Sequence, residues 1–204
     1  MKNNIYRYLI TGLILCGSLT LISLAFWNQE IVYSLPTPLP ANYIAVEIGG
    51  AINLGDPSIQ KKGKPLFLHF YNPDCPCSRF NVPHVKSLIK KYSDKVDFAV
   101  VILNKEGAID ATEIGASFSP GIPVFTDASI AKKCGVYSTP QAVIIDDESK
   151  LFFRGNYNKS RYCTEKQTNY AEIAMDALLN KNSAPSLGEA ATVAYGCQLP
   201  NCTK

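Results

Sequence analysis

The 204-residue chain reads as an α/β fold carried behind an N-terminal transmembrane helix. Three observations predict this. Tyr8 to Trp27 is an uncharged apolar stretch. Leu66 to Leu103 shows a strand–helix–strand pattern, the mark of a parallel βαβ unit. The composition, 47% hydrophobic and 18% charged, supports a packed core and argues against disorder.

The apolar stretch, YLITGLILCGSLTLISLAFW, has the length to cross a hydrocarbon core of about 30 Å at about 1.5 Å per residue. Lys2 and Arg7 precede it and Glu30 follows. The positive-inside rule then keeps the N-terminus in the cytoplasm and places all that follows Trp27 outside. A cleaved signal peptide is the rival reading, with Ser23-Leu24-Ala25 as a weak cleavage site. Cys16 makes a poor lipoprotein cysteine, because Leu15 stands where a small residue is expected. Next comes SLPTPLP, whose alternating Pro36, Pro38 and Pro40 favour an extended spacer holding a domain off the membrane. The predicted organisation is an anchor over 1–27, a linker and extension over 28–64, a core domain over 65–180 and a loose tail over 181–204.

Within the core, Leu66-Phe67-Leu68-His69-Phe70 is a buried strand. Ser78 to Tyr92 shows a helical apolar face, with a kink expected at Pro83. Val96 to Leu103 is a second strand. A weak helix over Ala108 to Phe118 follows, then a short apolar piece over Ile122 to Phe125. Asp127 caps a helix running to Cys134. Ala142 to Ile145 and Leu151 to Arg154 are strands joined by a turn at Asp146-Asp147, and Thr168 to Leu179 is an amphipathic helix. Tyr43 to Ile48 is a candidate for an extra strand.

The charge, 20 basic against 17 acidic residues, includes no basic stripe and argues against a nucleic-acid surface. Of seven cysteines, Cys16 lies in the anchor; Cys75, Cys77, Cys134, Cys163, Cys197 and Cys202 lie beyond it. An even number in an exported domain permits disulfides, but six cysteines allow too many pairings for the sequence to choose one.

Two motifs carry a family resemblance. In FYNPDCPCSRFNVP, residues Phe70, Tyr71, Pro73, Cys75 and Pro83 match the thioredoxin pattern of a strand end, a cysteine at a helix start and a proline eight residues later. In GVYSTP, Gly135 to Pro140 match the loop whose proline is cis in thioredoxins, and Ile144-Ile145-Asp146 match the strand that follows. Over roughly Pro65 to Leu179 the chain resembles the thioredoxin-like superfamily. More narrowly, it is similar to redoxin-related bacterial proteins with a CPC centre and a GC-containing C-terminal tail, and to membrane-tethered thiol–disulfide proteins. The resemblance implies a thioredoxin-like fold, a central mixed sheet flanked by helices. It implies thiol–disulfide exchange on protein or small-molecule thiols and disulfides, with no cofactor. Thr139 and Pro140 would present an extended substrate.

The departures shape the site. Cys75 takes the attacking position, at a helix start where free N–H groups favour a thiolate. Asp74 opposes this charge and Arg79 offsets it. Ser78 stands where the resolving cysteine would be, and Cys77 is an added thiol. Cys77 is expected to resolve a mixed disulfide, with Cys163 as a lesser candidate. A Cys75–Cys77 ring would be strained. Copper(I) held by Cys75 and Cys77, with a third ligand from His84 or the tail, is the alternative chemistry. His69, six residues before Cys75, occupies the place of the buried acid of thioredoxins and, titrating near neutral pH, would move protons; a hydrogen-bonded core histidine is the equal alternative. Cys197 and Cys202 form either a local disulfide or a mobile relay, and Cys134 is a buried inert thiol. A peroxidase is disfavoured: Leu68 and Asn72 stand where the peroxiredoxin motif requires proline and threonine.

Overall fold

The structure, a computed structural model, describes residues 2–55, 59, 63–104 and 110–199. A five-stranded mixed sheet forms its centre, in the order β3-β2-β1-β5-β6. The strands are β1 (Leu66–Tyr71), β2 (Asp97–Ile102), β3 (Val124–Phe125), β5 (Gln141–Ile145) and β6 (Leu151–Gly155). All six residues of β1 are buried, as a central strand covered on both faces requires. It pairs parallel with β2, Leu66 opposite Asp97, and antiparallel with β5, Leu66 opposite Ile145.

The pleat of β1 sorts its side chains between two cores. Phe67 and Tyr71 join Val85, Leu88 and Met175, beneath helices α3 (Pro76–Tyr92) and α6 (Tyr170–Leu179). Leu66, Leu68 and Phe70 face Ile130, Cys134 and Val136, beneath α5 (Ala128–Lys133). Helix α4 (Ala111–Phe118) is capped by Asp110, whose side chain accepts from Thr112 N and Glu113 N. Asp127 caps α5 in the same way, accepting from Ser129 N. This is the thioredoxin-like fold that the motifs imply.

At the N-terminus, α1 (Lys2–Phe26) continues through a π-helical turn (Trp27–Ile31) into α2 (Val32–Ser34). The candidate membrane span, Asn4–Ser34, has a mean hydropathy of 2.2 and buries none of its apolar window against the domain.

Several expectations need correction. The extra strand is not at Tyr43 to Ile48; the pairing falls later, where Gly49 N bonds Leu151 O, Leu151 N bonds Gly50 O and Ile52 N bonds Ser149 O along the start of β6. The proline spacer does not hang free at its start. Pro36 bridges to Tyr195, and Thr37, 4% exposed, donates its N–H to Ala194 O at 2.7 Å. Nor is the tail loose as far as residue 199. Short α7 (Glu189–Thr192) is tied to β6 by Asn156, whose N–H reaches Ala191 O and whose side-chain amide reaches Ala190 O and Val193 O. Beyond it, β7 (Cys197–Gln198) pairs antiparallel with β4 (Ser138–Thr139). The periodicity signal missed both pieces because each is too short to show a period, and backbone pairing with distant segments holds them.

Candidate redox site

The site is built where β1 ends. Asn72 turns the chain: its side-chain Oδ1 accepts from Asp74 N at 2.9 Å and its carbonyl accepts from Cys75 N at 3.0 Å. Cys75 is then the N-cap of α3, with an extended backbone, and Pro76 is the first helical residue, where a missing N–H costs nothing. Ser78 is fully buried, and its Oγ accepts from Asn72 N at 3.3 Å, so it braces the turn.

Cys75 forms a disulfide with Cys197, with Cα atoms 6.0 Å apart and a sequence separation of 122. The Cys75 sulfur lies 3.4 Å from Thr139 O, and the Thr139–Pro140 peptide is cis. As a disulfide sulfur has no hydrogen to donate, this contact becomes a hydrogen bond only in the reduced thiol. Strand β7 delivers Cys197 by pairing it directly opposite Thr139. Gly196 makes the approach possible: its φ is +112°, and a Cβ there would run into the Thr139 carbonyl. The Ser138 hydroxyl lies within bonding distance of Tyr195 O, Cys197 O and the Thr37 hydroxyl, locking tail, loop and linker together.

Cys75, Cys77 and Cys197 are each 0% exposed and form one small cluster, with Tyr33 of α2 packed against it. Arg161 lies beside them, its side chain only 6% exposed. Its guanidinium carbon lies 4.9 Å from the Tyr162 ring centre, 5.2 Å from Phe80 and 5.6 Å from Tyr33. Its Nη2 donates to Glu30 Oε1 and to the Tyr162 hydroxyl, and Tyr162 in turn donates to Glu30. Burial lowers the Arg161 pKa, but the Tyr162 hydrogen bond and the charges of Cys77, Tyr162 and Glu30 outweigh it, so the group stays above its ordinary value.

The remaining candidates are placed as follows. Cys77 is not joined to Cys75. Cys163 is not at the disulfide: its thiol donates to Asn81 Oδ1 at 2.8 Å, it packs against the core beneath α3 and α6, and burial, with the Cys77 charge, pushes its pKa up to about 12. Cys197 does not take the local pairing, and Cys202 lies outside the described residues. His69 is fully buried with Nδ1 2.7 Å from the Tyr157 hydroxyl. Burial first, and then His84, lower its pKa to about 3, so it is a neutral core histidine rather than a group titrating near neutrality. His84 is half-buried, with its pKa lowered by burial against the raising effect of Glu172. Among the described residues no group of three or more His, Cys, Asp or Glu side chains is arranged to hold a metal ion. Sequence reasoning missed Arg161, Tyr33 and Glu30. The only local signal was SRYC, where an arginine stands two residues before a cysteine.

Comparison with known proteins places this geometry in context. Residues 51–199 match a family described as a domain of unknown function, DUF6436, and the chain belongs to that family. It is 28% identical over 156 residues to the thiol-disulfide oxidoreductase ResA of Bacillus thuringiensis subsp. konkukian, covering 74% of this chain and 86% of that one. Among solved structures it is similar to an uncharacterized conserved protein from Geobacillus kaustophilus, at a TM-score of 0.60 and 19% identity, over 80% of this chain and 97% of that one. It is also similar to a hypothetical protein from Sinorhizobium meliloti 1021, at a TM-score of 0.56 and 20% identity, over 69% and 81% of the two chains.

Proposed function

We propose that this chain is a membrane-anchored thiol–disulfide oxidoreductase acting outside the cytoplasmic membrane, with Cys75 as its nucleophile and Cys197 as the intramolecular partner. The observation that carries the reading is the Cys75–Cys197 disulfide, formed where a helix begins and where β7 pairs with the residue before Pro140. An extended peptide adding to a sheet edge uses the same backbone pairing, so the tail occupies the place that a substrate strand would take. Similarity to the ResA oxidoreductase supports the same chemistry.

The steps follow from that arrangement. The reduced Cys75 thiolate attacks one sulfur of a substrate disulfide, forming a mixed disulfide and expelling the other substrate sulfur as a thiolate. The Cys197 thiolate then attacks the Cys75 sulfur, restoring Cys75–Cys197 and releasing the second substrate thiolate. The substrate gains two electrons and the protein loses two. An external dithiol reverses the cycle, and relative potentials set its direction. Cys197 thus takes the resolving role expected of Cys77. Thr139 and Pro140 present the substrate, and the Lys2 and Arg7 charges orient the anchor with the domain outside.

The test is exchange with a model disulfide. Cys75→Ala loses at least about a hundredfold in rate. Cys197→Ser keeps the first step and accumulates mixed disulfide on Cys75. Full activity in Cys75→Ala together with loss in Cys163→Ala would overturn the assignment.

A further inference from the structure

The site holds three sulfurs and one buried cation, and the cycle above uses only two of the sulfurs. We propose that Arg161 keeps Cys77 as a second nucleophile that takes the tail disulfide over from Cys75. The inference rests on the proposed exchange activity and deepens it, by giving the protein a way to reopen Cys75 with the tail still tethered.

The geometry carries it. Cys77 shares one fully buried cluster with Cys75 and Cys197, which places its thiol in the same solvent-excluded neighbourhood as the disulfide. Arg161 is buried beside the cluster, and its Nε and Nη1 atoms have no hydrogen-bond partner, whereas Nη2 is used by Glu30 and Tyr162. A buried guanidinium with two unused N–H faces is costly unless an anion stands near it. Cys77 is close enough for its charge to bear on Arg161. A thiolate there supplies that anion.

The direction of attack follows from the helix. Cys75 is the N-cap and Cys77 the second helical residue, so a Cys75–Cys77 bond would close a small strained ring across the first turn. Attack on Cys197 needs no such ring. It also expels Cys75, whose thiolate is favoured by the free N–H groups of α3, and a more acidic thiol is the better leaving group. The Cys77 thiolate therefore attacks the Cys197 sulfur: the Cys77–Cys197 bond forms, the Cys75–Cys197 bond breaks, and Cys75 leaves with the electron pair. No external oxidant or reductant takes part, since Cys77 is oxidised as Cys75 is reduced.

Among the described residues, the groups that bear on Cys77 include Arg161 and Cys163 from the loop after β6 and Tyr195 from the tail. Tyr33 of α2 packs on the same cluster, and Glu30 acts through Arg161. Arg161 is thus a positioning residue, and Glu30 ties its charge to the end of the membrane helix.

The experiment uses the oxidised full-length protein in detergent, held at a series of pH values, quenched in acid, alkylated and mapped by mass spectrometry. The expected result is two isomers, Cys75–Cys197 and Cys77–Cys197. Their exchange rate should rise with pH about a midpoint below the ~8.5 of an ordinary thiol. Arg161→Gln should raise that midpoint by about one pH unit, slowing exchange roughly tenfold near neutrality, and Arg161→Lys should restore it. Should Arg161→Gln fail to fold, Glu30→Gln keeps the test open. Removing that carboxylate should lower the midpoint, because one negative charge beside the thiolate is gone. A Cys75–Cys77 or Cys197–Cys202 product, the absence of any second isomer, or a midpoint indifferent to Arg161→Gln or, in its place, to Glu30→Gln would overturn the proposal. If no second isomer forms while Cys75→Ala still abolishes exchange with a model disulfide, the relay fails and the oxidoreductase reading stands.

Discussion

Two cysteine–arginine neighbourhoods lie in separate buried clusters, and both thiols, Cys134 and Cys77, are 0% exposed. Cys134 sits among Leu68, Ile130 and Val136, and its arginine is Arg154. That guanidinium spends its Nη1 on backbone, donating to Val46 O at 2.9 Å and Cys134 O at 3.3 Å. Burial pushes the Cys134 thiol up to about 12, despite the Arg154 and Lys133 charges. Arg161, by contrast, gives nothing to backbone carbonyls among the hydrogen bonds described; it faces aromatic rings, Glu30 and the sulfur cluster. Equal burial therefore says little about a thiol. What the neighbouring cation is already bonded to separates a structural cysteine from a reactive one.

The largest expected effect breaks the reactive side. Gly196→Val places a branched side chain where φ is +112° and where a Cβ meets the Thr139 carbonyl. It should cost about 2–3 kcal/mol of tail docking, a roughly 30- to 160-fold smaller equilibrium constant for Cys75–Cys197 pairing. Titration in a glutathione redox buffer reads this directly; an unchanged constant would mean that the tail is not held by its pairing with β4.

A pH experiment extends the comparison to a third buried group. The unfolded chain protonates His69 near 6.5, whereas the folded chain keeps it neutral down to about 3. The native state binds fewer protons across that window, so stability falls as pH is lowered through it, by up to about 1.4 kcal/mol per pH unit. His84, also lowered, contributes in the same sense. Urea unfolding at pH 7 and pH 5 should show the loss, and His69→Gln should flatten it. A slope unaffected by that substitution would assign the acid sensitivity to other groups.

The smallest effects lie on the structural side. Arg154→Met should destabilise the domain by about 1–3 kcal/mol, through the carbonyls it leaves unbonded, with no change in disulfide-exchange rate. Cys134→Ala should cost about 1 kcal/mol and leave exchange intact. Native Cys134 should resist alkylation at neutral pH, where a thiol at about 12 is only ~10⁻⁵ ionised. Loss of exchange in either variant would erase the distinction between the two neighbourhoods.

The sequence by itself determined the sheet, the helices and the position of Cys75. Leu66 to Tyr71, Pro76 to Tyr92 and Gln141 to Ile145 are written in local patterns, because apolar period and turn chemistry act over a few residues. FYNPDC and GVYSTP were legible through their resemblance to the thioredoxin pattern. Only the tertiary structure decided which cysteine meets Cys75, since Cys197 lies 122 residues away and the sequence assigns no cost to that closure against its rivals. The fate of Thr37, the neutrality of His69 and the placement of Arg161 were likewise decided by groups brought together from α2, β4, the loop after β6 and the tail. Burial and charge are properties of the packed neighbourhood, and a residue's type carries no record of who its neighbours are.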